Sequence, residues 1–235
     1  MRATGERLLP VAVARLAGVC YLLTVVLGGI GETLQSQVVV AGDAVATAAR
    51  IAAEGGPVRA AFALFMLEMT CQVATTALFY ELFRPVNRAV SLIAAFVSVV
   101  GITIKAMSRL FMIAPLTILG GAEYFTAFDP GQLNALAMFS LRLNTQGAGI
   151  ALVFFGFSAL LLGYLVLRST FLPGFLGVLS VLGGIGWLSF LHPPFADGVF
   201  PFVAAVGILG ALAMIGWLLM KGVDEARWRE QAARA

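Results

Sequence analysis

Six long apolar runs divide the chain, and most charged residues fall between them. A membrane core about 30 Å thick needs a helix of about 20 apolar residues, and each run reaches that length. The pattern therefore predicts an all-α fold, a polytopic membrane bundle of six transmembrane helices. The runs are Val11–Gly31, Arg59–Leu82, Ala89–Leu110, Leu133–Leu167, Phe171–Leu191 and Val199–Met220. Residues 11–220 form the predicted transmembrane domain, between an N-terminus of residues 1–10 and a charged C-terminal tail of residues 221–235.

Two connections between the runs carry signals for the start of a helix. Asp43 precedes an amphipathic stretch that ends at Gly55-Gly56-Pro57, which is typical of a short interfacial helix with an aspartate cap. Asp129 precedes Pro130, a cap followed by proline at the first helical position. The helix after it would run about 35 residues, or about 52 Å, which is longer than a membrane is thick. We therefore expect short amphipathic helices in the outer loops, and a fourth helix that either projects outside or breaks near Gly147–Gly149.

Lysine and arginine are distributed unevenly over the two ends of the predicted helices. One set of ends has only Arg50 and Arg59, together with most of the loop carboxylates. Loops rich in lysine and arginine stay in the cytoplasm, so both termini are predicted to be cytoplasmic. The basic set consists of Arg2, Arg7, Arg15, Arg84, Arg88, Arg168, Lys221, Arg227, Arg229 and Arg234.

Composition excludes several classes of protein. The 235 residues are 60% hydrophobic and 11% charged, whereas a soluble domain has about 25% charged residues. The single histidine, His192, and two cysteines inside apolar runs, Cys20 and Cys71, do not make a metal or haem ligand set, so no cofactor is predicted. The pI of 9.2 reflects basic loops rather than a basic patch, so no nucleic-acid partner is expected.

Ionisable side chains also fall inside three of the predicted helices. Glu68 and Gln72 lie four residues apart in one helix, as do Lys105 and Arg109 in the next, so each pair shares a helix face. A charge at membrane depth costs about 2.5–3.5 kcal/mol on insertion scales, which makes each such residue a candidate for function. The predicted orientation of the helices puts these ionisable residues in the outer half of the membrane, at the same depth as Glu32 and His192. The predicted ligand-binding residues are Glu68, Gln72, Lys105, Arg109, Arg142 and Asn144.

The predicted cluster has three interpretations. Lys105 and Arg109 could extend to the outer surface while Glu68 neutralises one of them, which would make the cluster a tie between helices. Because the cations outnumber the carboxylates, a phosphate or carboxylate headgroup is a second interpretation, with an arginine providing a bidentate fork. A proton or ion pathway through Glu68 is the third.

The run from Arg15 to Glu32 opens a series of motifs that extends over most of the chain. This run is similar to the opening of a bacterial membrane family catalogued as domain of unknown function 4386. The resemblance extends from about Arg15 to Gly222 and implies a six-helix protein of the bacterial inner membrane, with no activity to transfer. Further matching motifs are Gly42-Asp43 with Thr47, Arg84-Pro-Val-Asn-Arg88, Phe128–Leu133, Val153–Gly156, Leu161–Tyr164, Arg168-Ser169 and Phe171–Val178.

Three functions follow from these observations. The first is a protein that binds an anionic lipid or amphiphile in a polar pocket of the outer leaflet. The second is a small proton-coupled transporter that uses Glu68, although the chain has no convincing inverted repeat. The third is an intramembrane enzyme that modifies a lipid or isoprenoid, with Glu68 as general acid or base. Membrane lipids are the expected partners, and the sequence leaves the formation of a homodimer undecided.

Overall fold

The computed structural model describes residues 9–234, and this part of the chain contains helices and no strand. Six helices are long and apolar enough to cross a membrane, which confirms the predicted number and the all-α fold. Most of the predicted N-terminus, residues 1–10, and the last residue of the tail lie outside the described residues. The helices are α1 (Pro10–Val38), α2 (Ala44–Ala53), α3 (Gly55–Phe83), α4 (Arg88–Ile118), α5 (Pro130–Arg168), α6 (Gly174–Trp187), α7 (Pro193–Met220) and α8 (Glu225–Arg234), and 3₁₀ turns cover Glu123–Phe125 and Leu188–Leu191.

The helix boundaries differ from the prediction at two places. The predicted end of the loop helix is present, because α2 stops at Ala53 and Glu54 is not helical. Gly55-Gly56-Pro57, however, also forms the first turn of α3, which therefore begins before the predicted Arg59. Proline is tolerated there because the first N–H groups of a helix have no partner within the helix. Of the two alternatives for the fourth helix, the break near Gly147–Gly149 is absent, since α5 is one continuous helix of 39 residues that includes these glycines. The helices are longer than the predicted runs, because hydropathy detects only the apolar part of a helix, whereas helical hydrogen bonding continues into the polar turns at its ends.

The predicted helix caps are confirmed. Asp43 precedes α2, and its side chain accepts a hydrogen bond from the Ala46 amide at 2.9 Å. At the start of α5, Asp129 Oδ1 accepts from the Gln132 amide at 2.8 Å, and Gln132 Oε1 accepts from the Asp129 amide at 3.0 Å. This reciprocal arrangement satisfies two backbone donors that the first turn would otherwise leave without a partner.

The chain forms two compact units. The first unit contains the described residues up to Leu22, Cys71–Gly101 and the described residues from Leu152 onwards. The second unit contains Leu23–Thr70 and Ile102–Ala151. Four of the helices, α1, α3, α4 and α5, contribute one segment to each unit.

Close backbone packing and an apolar core hold the first unit together. A Cβ atom at Gly177 would lie 2.9 Å from the Gly163 carbonyl oxygen, and one at Gly184 would lie 2.8 Å from that of Gly156. Helices α5 and α6 are therefore in direct backbone contact, as in other membrane proteins with small residues at the interface. The buried apolar core includes Leu82, Phe83, Leu165, Val166, Leu176, Met214 and Leu218.

The second unit has a smaller apolar core and surrounds a set of polar side chains. Ile51 of the loop helix α2 is buried with Val38, Val58 and Leu141. Large apolar side chains on α4 and α5, such as Met107 and Phe139, are exposed on the outside of this unit. An exposed apolar surface of this kind suits lipid rather than water.

Candidate functional site

The second unit brings together five polar residues that we name the charged cluster: Glu32, Glu68, Lys105, Arg109 and Asn144. Lys105 Nζ lies 2.8 Å from Glu68 Oε1, and Arg109 Nη2 lies 3.3 Å from Glu32 Oε1. Arg109 also interacts electrostatically with Glu68. The cluster contains two cations and two carboxylates, so its charges balance.

The pair of Glu68 and Lys105 is mostly removed from the surface. Glu68 is 2% exposed, and the Lys105 side chain is 19% exposed. Gly28 of α1 lies beside this side chain, because a Cβ atom there would be in van der Waals contact with Glu68 Cγ at 3.5 Å. A buried ion pair of this kind is strongly destabilised when one partner is removed, since the other charge is then left uncompensated.

Arg109 is held on three sides. It is 1% exposed, its Nη1 donates to Asn144 Oδ1 at 3.2 Å, and its guanidinium carbon lies 3.7 Å from the centre of the Phe65 ring. The cation over the aromatic face adds an electrostatic attraction. The third contact, Glu32, is different, because its side chain is 63% exposed. The guanidinium is therefore fixed from inside the unit and paired on its outer side with a carboxylate at the surface.

Two buried polar atoms of the charged cluster have no hydrogen-bond partner among the described residues. One is the acceptor Glu68 Oε2, and the other is the donor Arg109 Nε. A buried polar group left without a partner costs about 1–3 kcal/mol. Nε and Nη2 form one edge of the guanidinium, the edge that binds a carboxylate or phosphate with two parallel hydrogen bonds. Only the Nη2 half of that edge is used by Glu32.

Glycines allow the helices to approach closely around the charged cluster. A Cβ atom at Gly31 of α1 would lie 3.0 Å from the Phe65 ring of α3, and one at Gly147 of α5 would lie 2.6 Å from Ser108 Cβ of α4. These close approaches bring Phe65 and Asn144 within reach of Arg109. The glycine positions are therefore part of the site as well as of the packing.

The structure gathers four of the six predicted ligand-binding residues, and within the described residues no hydrogen bond or ion pair joins Arg142 or Gln72 to them. Glu68, Lys105, Arg109 and Asn144 lie in the charged cluster, with Glu32 beside them as the depth argument expects. Arg142 is exposed, and its side chain makes no hydrogen bond or ion pair with a described residue. A role in binding a ligand stays a prediction for all six residues.

The remaining predicted residues belong to the first unit. Gln72 has a buried Oε1 without a described partner, and His192 is exposed at the start of α7. With Arg142 outside the charged cluster, the excess of cations expected from the sequence is not found there. Phe65 was not among the predicted site residues, although its spacing of three from Glu68 on α3 could have indicated it.

The described residues contain no group of three or more histidine, cysteine or acidic side chains that could hold a metal ion. Cys20 and Cys71 form no disulfide bond within the described residues.

Comparison with known proteins adds one finding. Residues 16–222 match a family model with the description Domain of unknown function (DUF4386). No curated protein and no solved structure matches the chain.

Proposed function

Because the chain belongs to the family described as Domain of unknown function (DUF4386), whose description assigns no activity, we propose a function from the charged cluster itself. The protein is a multi-pass membrane protein that binds an anionic amphiphile, whose headgroup takes the place of the Glu32 carboxylate on Arg109. The proposed location is the bacterial inner membrane.

The observation that carries this proposal is the half-used edge of Arg109. Its Nε has no described partner, and its Nη2 is paired with a carboxylate whose side chain is 63% exposed. A phosphate or carboxylate that displaced Glu32 would accept from Nε and Nη2 together, and such bidentate pairs are among the stronger hydrogen-bonded contacts in proteins. Asn144 and Phe65 already hold the guanidinium in place, so little ordering would accompany binding.

The charge balance of the cluster supports an exchange of this kind. With Glu32 on Arg109, two cations face two carboxylates, so the charged cluster is neutral. Once Glu32 moves away, Lys105 and Arg109 face Glu68 alone, and one negative charge restores the balance. A singly charged headgroup therefore fits this site better than a neutral lipid.

The surroundings of the cluster favour an amphiphile over a soluble anion. Leu67 of α3 and Met107 and Leu110 of α4 are exposed apolar side chains close in sequence to Glu68, Lys105 and Arg109. In a membrane these side chains face acyl chains, and a ligand with a hydrocarbon tail would continue along them.

Native mass spectrometry after gentle extraction, combined with lipid extraction, tests the proposal. We expect one co-purifying anionic amphiphile, lost in Arg109→Gln and more fully occupied in Glu32→Gln, where no carboxylate competes for the guanidinium. Glu32→Gln alters an exposed side chain, so this variant should fold even if Arg109→Gln does not.

Arg142→Gln is the matched control, because it also removes an arginine charge from the second unit but from an exposed position. It should keep the bound amphiphile. Bulk lipid only in the wild-type protein, or equal loss in Arg142→Gln and Arg109→Gln, would contradict the proposal.

A proton-coupled transporter is the second candidate, and the observation that favours it is Glu68. Glu68 is 2% exposed. Its Oε1 accepts a hydrogen bond from Lys105 Nζ, and its Oε2 has no partner among the described residues. A buried carboxylate beside a lysine can be neutralised by moving a proton within the pair. Proton flux in proteoliposomes that is abolished by Glu68→Gln and retained in Glu32→Gln would favour this candidate over the first.

A further inference from the structure

The helix α8 forms one wall of a cavity of about 470 Å³ at one end of the first unit. Val86 of the turn between α3 and α4 and Thr170 of the turn between α5 and α6 form the other walls. From α8 the cavity is lined by Arg227, Glu230, Gln231 and Arg234. None of these residues belongs to the charged cluster.

Hydrogen bonds hold α8 against the end of α3 and against the segment that joins α5 to α6. The Trp228 indole donates to the Leu82 carbonyl oxygen at 2.9 Å. Gln231 Oε1 accepts from both the amide and the hydroxyl of Thr170, at 3.0 and 3.1 Å, and Gln231 Nε2 donates to the Arg168 carbonyl oxygen at 3.2 Å. The wall that carries the arginines is therefore a docked helix, and the cavity exists before any ligand arrives.

The charges at this end of the first unit leave an excess of cations. Each acidic residue of α8, and also Glu81 near the end of α3 and Asp224 just before α8, pairs with an arginine three or four residues away. In the described part of the chain, Arg88, Arg168 and Lys221 are then left without an ion pair. The four pairs are Glu81 with Arg84, Asp224 with Arg227, Glu225 with Arg229 and Glu230 with Arg234.

Two arginines line the cavity with only one carboxylate. Arg227 Nη1 donates to the Thr170 carbonyl oxygen at 3.4 Å, while its Nη2 has no hydrogen bond to a described residue. Arg234 is paired only with Glu230, which is itself exposed on the same helix. An anion in the cavity can therefore accept from Arg227 and compete with Glu230 for Arg234.

We propose that this cavity binds a phosphate-bearing anion through Arg227 and Arg234. Phosphate oxygens match the paired donors of a guanidinium, and the surrounding excess of cations attracts a negative charge. A phosphodiester headgroup of a membrane lipid and a soluble phosphate compound share this chemistry. The site is independent of the charged cluster and of the proposed function.

Two probes separate the possible sources of the phosphate. The full-length protein is titrated with inorganic pyrophosphate by calorimetry, and native mass spectrometry records lipids released from nanodiscs of phosphatidylcholine with and without phosphatidylglycerol. Saturable binding of pyrophosphate supports a soluble ligand, and selective retention of phosphatidylglycerol supports a lipid headgroup. If neither probe binds, the proposal is overturned.

Variants of α8 test the position of the site. Arg234→Gln should weaken binding of the successful probe about tenfold, the effect of losing one charge-assisted hydrogen bond. Glu230→Gln should strengthen binding, because it removes the competing carboxylate. Arg229→Gln is the matched control, since it removes the same charge from the same helix outside the cavity and should change binding less than about twofold.

In a background with Trp187 and Trp217 replaced by phenylalanine, the fluorescence of Trp228 reports whether α8 stays docked in each variant. Equal weakening in Arg229→Gln and Arg234→Gln would mean that general surface charge attracts the probe, and this would overturn the proposal.

Discussion

At the scale of single residues, Arg109 and Glu68 depend on a few specific partners. Arg109 is buried with one amide, one aromatic ring and one carboxylate around it, and Glu68 is buried with one lysine. Each partner matters because the surroundings provide little else that can compensate a charge. Substitutions at these positions should therefore have larger effects than their chemical change suggests.

Charge reversal at Glu68 is expected to prevent stable expression. Glu68→Lys would place a third cation beside Lys105 and Arg109, and breaking a buried pair costs about 3–5 kcal/mol. The measurement is the yield and the size-exclusion profile of the detergent-extracted protein. The exchange of both charges, Glu68→Lys with Lys105→Glu, is the control and should recover part of the yield. A normal, monodisperse profile from Glu68→Lys alone would show that the three charges are not buried together.

Asn144 should contribute through its contact with Arg109. Asn144→Leu keeps the branched shape of the side chain but leaves Arg109 Nη1 without its acceptor, so the free energy of unfolding should fall by about 1–3 kcal/mol. Thermal unfolding in detergent measures the change. Gln146→Leu removes an exposed amide two residues along the same helix and should have little effect. Similar losses in both variants would argue against the buried hydrogen bond.

At the scale of helices, glycine decides how closely the elements around the charged cluster approach. Gly147 lets α5 lie against Ser108 of α4, and Gly31 lets α1 lie against Phe65 of α3. In a membrane, where lipid competes with side chains for apolar contacts, close packing at small residues is a main source of helix association. The same feature joins α5 and α6 in the first unit.

Gly147→Ala is expected to destabilise the second unit. The added Cβ would lie 2.6 Å from Ser108 Cβ, an atom that cannot move without its backbone, so α4 and α5 must separate. Alanine is the better helix former by about 1 kcal/mol, so a lower melting temperature would have to come from packing. Gly29→Ala is the control, because nothing lies within 4 Å of a Cβ at that position. An unchanged melting temperature for Gly147→Ala would contradict the close approach.

At the scale of the whole molecule, the placement of lysine and arginine predicts how the protein is oriented in the membrane. The basic ends of the helices predict that both termini are cytoplasmic. The turn between α3 and α4, next to Asn87, should then face the cytoplasm, and the start of α5, next to Asn134, should face outside. Both places have exposed alanines that accept a reporter without loss of a contact, Ala89 and Ala135.

Cysteine labelling in intact cells tests this orientation. In a background with Cys20 and Cys71 replaced by serine, Ala135→Cys should react with a membrane-impermeant maleimide and Ala89→Cys should not. Permeabilised cells are the control, and both positions should react there. The reverse pattern in intact cells would overturn the predicted orientation.

Much of the fold could be predicted because its signals are local. The six membrane helices follow from the length of the apolar runs, and the starts of α2 and α5 follow from Asp43 and Asp129. Helix starts were less predictable, since Gly55-Gly56-Pro57 follows the end of α2 as expected but also begins α3. The docking of α8 also escaped prediction, because it depends on Trp228 and Gln231 reaching turns far away in the chain.

Which helices form, and which polar residues fall inside them, follows from the sequence alone, because hydropathy and capping act between near neighbours. Which of those residues meet depends on how the helices pack against one another. Arg109 faces Asn144 and Phe65, whereas Arg142, two residues before Asn144, is exposed. The rotation of each helix sets this difference, and close contacts at glycines such as Gly147 set the rotation. Such contacts join residues distant in the chain, so periodicity along one helix does not reveal them.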